Sequence, residues 1–171
     1  LPRYSFAQSY VASSQGYSDM IGYLSTGIKR LSYLESFLGQ PCKKITSYKY
    51  PTELTHIVGW GLKATAEKAR NFATVKNLPY LSLEDGFLRS LDLGVTNSPL
   101  HSLIVDTTGI YYDATQASDL ESLISEENFS SAELLRAEAG ISLLQHYRLS
   151  KYNHAPDSLQ AIKLQTGAKV L

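Results

Sequence analysis

Only one cysteine, Cys42, occurs in the chain, so no disulfide can form within it. A small secreted scaffold held by bridges is thereby excluded, and a reducing compartment is the simplest setting. An excess of one charge is missing as well: sixteen basic residues face sixteen acidic ones. A protein built to grip a phosphate backbone along a broad basic face would not balance in this way, and nucleic acid is not an expected partner. No apolar run approaches the ~20 residues that span a bilayer, and the first residues lack the apolar stretch of a signal peptide. The expected location is cytoplasmic, at most peripheral to a membrane. His56, His101, His146 and His154 stand without metal-ligand spacing or a cysteine cluster, so neither a metal nor another cofactor is expected.

What the chain has in quantity is length and tyrosine. Its 171 residues suit one domain, and a domain of that size buries roughly 70% of the surface its unfolded form exposes. Twelve tyrosines stand against five phenylalanines and one tryptophan. Tyrosine joins an apolar ring to a hydroxyl, a combination that serves carbohydrate sites and ordinary cores alike. Cys42, between Gln40-Pro41 and Lys43-Lys44, reads as a structural thiol in a loop before a strand. A nucleophilic thiol would need a lowered pKa, and no histidine is adjacent.

Residues 1–19 are rich in Ser, Tyr and Gln without an apolar period, and read as a flexible or vector-derived leader. From Met20 onward strands alternate with helices. A strand over 21–24 precedes Ser25-Thr26-Gly27 and an amphipathic segment over 29–38, with Leu31, Leu34, Phe37 and Leu38 at helical spacing. Further strands are expected over 45–48, 56–60 and 79–83. A helix over 65–77 carries Ala66, Ala69, Phe72 and Ala73 on one stripe, with Thr65 as its N-cap. A strand over 100–106, a turn at Thr107-Thr108-Gly109 and a returning strand over 110–112 come next. A helix after Ser118 and a longer one over 131–149, with Leu134, Ala137, Ile141 and Leu144 on one face, complete the pattern. The alternation predicts an α/β fold, a largely parallel Rossmann-like sheet covered by helices on both faces. After Gln165-Thr166-Gly167 the last residues read as the start of another strand, as in a piece of a longer protein.

Leu83-Glu84-Asp85-Gly86-Phe87-Leu88-Arg89-Ser90 carries the most chemistry, with two carboxylates, a glycine and a guanidinium after an apolar strand. Open α/β sheets place working residues in loops beyond the carboxyl ends of their strands. Glu-Asp-Gly is also a good polar turn in its own right. Read as a site, it makes Glu84 the candidate general base for a sugar hydroxyl and Asp85 its structural partner, because neighbours in extended backbone point to opposite sides. Arg89 suits a carboxylate ligand through a bidentate grip, or else pins the loop through Asp85 or Asp92. Lys63, just past Gly59-Trp60-Gly61, meets an anion near a helix start, or stands solvated. Tyr111-Tyr112-Asp113 reads as packing near the sheet edge, and Lys151-Tyr152-Asn153 as the cap of the long helix. Ser25-Thr26-Gly27 falls short of a dinucleotide fingerprint, and the first strand has no acidic cluster of the kind a receiver-like domain needs.

Several motifs in order resemble the bacterial capsule polysaccharide biosynthesis and export family. They are Ile21-Gly22-Tyr23 with Ser25 and Gly27, Gln40-Pro41-Cys42, Gly59-Trp60-Gly61 with Lys63, the Glu84 motif through Gly94, Val105-Asp106 with Gly109-Ile110-Tyr111-Tyr112-Asp113-Ala114, and Leu149-Ser150-Lys151-Tyr152-Asn153. The resemblance covers about residues 20–155. It implies a retaining β-Kdo glycosyltransferase that moves 3-deoxy-manno-octulosonic acid (Kdo) from CMP-Kdo to a lipid-linked Kdo acceptor at the inner face of the inner membrane. No metal is implied. The implied architecture is two Rossmann-like halves facing a cleft (GT-B-like), with residues 20–155 as the acceptor-side half of the first transferase module and 156–171 as a linker into the second half.

On that reading Glu84 and Asp85 are catalytic, and Arg89, Gly86, Lys63, Trp60 and Gly27 bind substrate. The donor-binding residues and the nucleophile would lie downstream of residue 171, and the chain alone would not turn over. The implied partners are the nucleotide sugar, the glycolipid, the missing half and capsule assembly proteins at the membrane. The rival reading is a non-enzymatic module that binds an anionic sugar or lipid headgroup.

Overall fold

A computed structural model describes residues 19–88, 90, 100–126 and 128–149 of the chain. Residues 1–18 of the leader, Arg89, Asp92, the motif at 151–153 and the linker over 156–171 lie outside the described residues. The elements are β1 (Met20–Tyr23), α1 (Thr26–Lys29), α2 (Leu34–Leu38), β2 (Cys42–Lys44), β3 (Leu54–Trp60), α3 (Ala64–Lys76), β4 (Tyr80–Asp85), β5 (Leu103–Asp106), α4 (Asp119–Glu126) and α5 (Ser131–Tyr147). The five strands form one sheet in the order β2-β1-β3-β4-β5. The first three pairings are parallel and β5 runs antiparallel to β4. This is the α/β, largely parallel architecture that the alternation predicts, finished by an antiparallel edge strand.

Strand alternation splits the core into two layers. On one face Ile21, Tyr23, Val58, Leu81 and Leu83 pack with Ile28, Leu34 and Leu38 of α1 and α2. On the other, Leu54 and Ile57 pack with Ala69, Phe72 and Ala73 of α3, joined by Ile45. The adjacent pair Ile57 and Val58, both fully buried, thus feeds opposite layers. Leu54 and Ile57 share a face despite their odd spacing because the β1–β3 register shifts between Met20 and Ile21, leaving Thr55 extra. Gly59 lets α3 lie close: a Cβ there would sit 3.0 Å from the Ala66 Cα and run into the Tyr80 hydroxyl.

Four local expectations need correction. The helix over 29–38 is two short helices. Arg30 and Leu31 close the first with bonds to the carbonyls three residues back (3.1 and 3.0 Å), and Tyr33 turns left-handed before the second. Of the expected stripe, Leu34 and Leu38 are buried and Leu31 and Phe37 partly so, while Ile28 serves the core from the first helix. The second strand is Cys42–Lys44 and not 45–48, which places Cys42 in a strand instead of a loop. Lys63, not Thr65, occupies the N-cap of α3, without a side-chain bond.

Finally, residues 110–112 do not return as a strand. The buried Asp106 carboxylate redirects the chain by accepting the N–H groups of Thr108 (2.9 Å), Gly109 (2.6 Å) and Asp119 (3.0 Å). Asp119 in turn accepts from the Thr107 N–H and hydroxyl. Three donors satisfy a buried carboxylate only if the backbone wraps around it, which a two-stranded hairpin cannot do.

Candidate active site

The sequence motif lands at the carboxyl edge of the sheet, with one change of setting. Glu84 and Asp85 are the last two residues of β4, not part of a loop. β3 pairs with β4 only as far as Trp60–Leu83. β5 pairs on, Glu84 with Ile104 and Asp85 with Leu103, and so holds the strand straight for two further residues. A strand held in such a ladder points successive side chains to opposite faces. Glu84 and Asp85, both half-buried, therefore serve different faces of the sheet.

Glu84 is held at several points. Its Oε1 accepts the Asp85 N–H (3.0 Å) and its Oε2 accepts the Tyr112 hydroxyl (3.2 Å). Beside it, Gly61 leaves β3 in the left-handed region (φ 58°) and donates its N–H to the Leu83 carbonyl. Any side chain at Gly61 would press within 2.8 Å of the Tyr112 oxygen and 2.9 Å of Glu84 Oε2. Only glycine combines that backbone with that closeness. Burial first, and then the Glu84 charge and hydrogen bond, push the Tyr112 hydroxyl above its usual value, while a bond with the Leu62 backbone pulls the other way. The phenol therefore keeps its proton at neutral pH.

The remaining motif residues fall around this edge in different roles. Gly86 is buried, and a side chain there would run into Ser102. Phe87 and Leu88 turn outward, Phe87 70% exposed. The Phe87 ring lies against Tyr111 (5.4 Å between centroids), and Tyr111 against Tyr112 (5.3 Å). Trp60 packs partly buried on the first core layer. Lys63 is exposed, and its carbonyl accepts the N–H groups of Ala66 and Glu67.

Gly27 lies in α1, after β1, and gives its N–H to the Ser25 hydroxyl (3.1 Å), while Lys44 reaches Thr26 (2.9 Å). Because β1 has β2 on one side and β3 on the other, the Ser25 loop and the Trp60-Gly61 turn flank the point where strand order reverses, the usual ligand crevice of an open α/β sheet. Among the described residues no group of three or more His, Cys, Asp or Glu is placed to hold a metal. No described helix is long and apolar enough to cross a membrane.

Cys42 answers the question of a nucleophilic thiol. Burial, then the nearby Glu35 carboxylate, push its pKa up to about 12. Glu35 also accepts the Cys42 N–H (2.9 Å), so thiol and carboxylate are fixed together. A thiol of that kind stays protonated and unreactive at neutral pH.

Tyr112 and Gly61 are the residues that sequence reading missed as parts of the site. Tyr112 lies 28 positions from Glu84 and reads as packing. The one available signal was its place in a Tyr-Tyr-Asp run following the turn at Thr107-Thr108-Gly109.

The model of the family described as capsule polysaccharide biosynthesis protein matches residues 55–170, a span that holds β4, β3 but for its first residue, and the whole Glu84 cluster. The chain belongs to that family. The capsule polysaccharide modification protein LipA of Neisseria meningitidis serogroup A is 43% identical over 134 residues, covering 78% of this chain and 18% of LipA. The lipopolysaccharide-processing protein LpsZ of Rhizobium meliloti is 43% identical over 104 residues, 58% of this chain and 23% of LpsZ. Among solved structures, the β-Kdo 2,4 transferase KpsC of Thermosulfurimonas dismutans matches with a TM-score of 0.74 and 39% identity, over 89% of this chain and 47% of KpsC. The chain thus spans less than a quarter of these curated family relatives and about half of the matched structure.

Proposed function

We propose that the chain is the acceptor-side Rossmann-like half of a retaining β-Kdo glycosyltransferase acting in capsule polysaccharide biosynthesis. The observation that carries the reading is the match to KpsC, a β-Kdo 2,4 transferase, at 39% identity over 89% of the chain. The donor is CMP-Kdo and the acceptor a lipid-linked Kdo. Glu84 is the general base. As the acceptor hydroxyl oxygen bonds to the anomeric carbon of Kdo, the bond from that carbon to its carrier breaks, and Glu84 takes the hydroxyl proton. A sugar hydroxyl is too weak a nucleophile without such a base, and proximity decides which carboxylate serves.

Support for Glu84 over Asp85 comes from its place beside the left-handed Gly61 turn, with one oxygen held by Tyr112 and lone pairs still open for the substrate. Arg89 and Lys63 meet the carboxylates of the sugars, as guanidinium and ammonium groups commonly do. Gly27, Gly86 and Trp60 shape the crevice around them. The donor pocket and nucleophile belong to the other half of the enzyme, so the 171-residue chain alone gives no transfer.

The test is E84Q in the full-length polypeptide, assayed with CMP-Kdo and a synthetic β-Kdo acceptor. Turnover is expected to fall by about 100- to 10,000-fold, the usual worth of a general base, with the melting temperature unchanged. A wild-type rate from E84Q removes Glu84 from this role. A loss of acceptor affinity with no transfer detected in the wild type would instead favour the binding module.

A further inference from the structure

Tyr112 stands 48% exposed, in a loop, yet its hydroxyl has a defined partner. That partner is Glu84 Oε2, which accepts the phenolic proton at 3.2 Å. The two side chains close over the left-handed Gly61, where a Cβ would lie 2.8 Å from the Tyr112 oxygen and 2.9 Å from Glu84 Oε2. Glu84 Oε1 is meanwhile held by the Asp85 N–H. With one contact on each oxygen, the plane of the carboxylate is fixed. A free glutamate side chain at a strand end has three rotatable bonds and would sample many planes; a base is efficient only when its lone pair is already aimed.

We propose that Tyr112 is a positioning residue: its phenol, packed over the Gly61 turn, orients the Glu84 carboxylate toward the acceptor hydroxyl. The inference rests on the reading of Glu84 as the base. Tyr112 need not touch the sugar; it acts through Glu84, and its raised pKa keeps it a donor over the working pH range.

Y112F removes the hydroxyl and keeps the ring, including its edge contact with Tyr111. In the full-length polypeptide, with CMP-Kdo and a synthetic β-Kdo acceptor, Y112F is expected to lower kcat on the order of 10-fold, as loss of a hydrogen bond to a charged group does. The KM for acceptor should stay within about twofold, since the carboxylate is still present but less often aimed. The double variant E84Q/Y112F should be no slower than E84Q alone, because a residue that works only through Glu84 has nothing left to orient.

A merely structural tyrosine would lower the melting temperature and leave kcat per folded molecule intact. Y112F with wild-type kcat, or a double variant slower than E84Q by the full Y112F factor, overturns the proposal. If E84Q is slow and Y112F is not, the positioning role alone falls and the transferase reading stands. If E84Q itself turns over normally, both fall together.

Discussion

Helices α3 and α5 were built by opposite means. α3 starts poorly: Lys63 at its N-cap makes no side-chain bond. Its 13 residues nonetheless bury Ala66, Ala69, Phe72 and Ala73 against β3 and β4. α5 starts well, with a full capping box in which Ser130 takes the Glu133 N–H and Glu133 returns to the Ser130 N–H. Yet none of its 17 residues is buried. Capping makes a helix begin, whereas burial makes it a layer of the domain, and these two helices separate the effects.

The largest effect that sharpens this contrast is Phe72→Ala. Phe72 fills the α3 layer and meets the Tyr50 ring edge-on at 5.2 Å. Its truncation should cost the chain about 3–5 kcal/mol, read from the midpoint of urea denaturation. A smaller step is Ser130→Ala, which removes the cap and should cost about 1 kcal/mol of local helix stability. Amide exchange should then quicken in the first turn of α5 and remain slow in β3.

Next comes a pH effect confined to the packed region. Burial holds the pKa of His56, on β3, below 6.5, against a partial upward pull from Asp19. The folded state then binds fewer protons than the unfolded one, so this contribution is complete above about pH 6.5 and is lost as pH falls toward the depressed value. His56→Gln should flatten the decline of melting temperature over that window. The smallest effect is Ile141→Ala on α5, 53% exposed, which should stay within about 0.5 kcal/mol. A cost matching that of Phe72→Ala would break the contrast.

The same division between local signal and packing explains what could be read in advance. The α3 stripe of Ala66, Ala69, Phe72 and Ala73 was legible because helical spacing names a buried face directly. The opposed directions of Glu84 and Asp85 were legible because period two belongs to any extended backbone. That both residues sit on a strand was not, since it depends on β5 arriving antiparallel beside them. The break between α1 and α2 was hidden too. The stripe of Leu31, Leu34, Phe37 and Leu38 keeps helical spacing through 31–38, so periodicity alone sees a single helix. At 110–112, a β-branched residue and two tyrosines suggested a strand, and the buried Asp106 with its three backbone donors overrode that propensity.

By itself the sequence determined the α/β alternation, the inward stripes and the carboxylate pair after an apolar strand, because these follow from periods of 3.6 and 2 and from residue chemistry. Only the tertiary structure decided that Tyr112 meets Glu84 across 28 positions, and that Gly61 must be glycine for them to meet. Contacts between distant segments depend on how strands order and turns are aimed, and no local pattern encodes that.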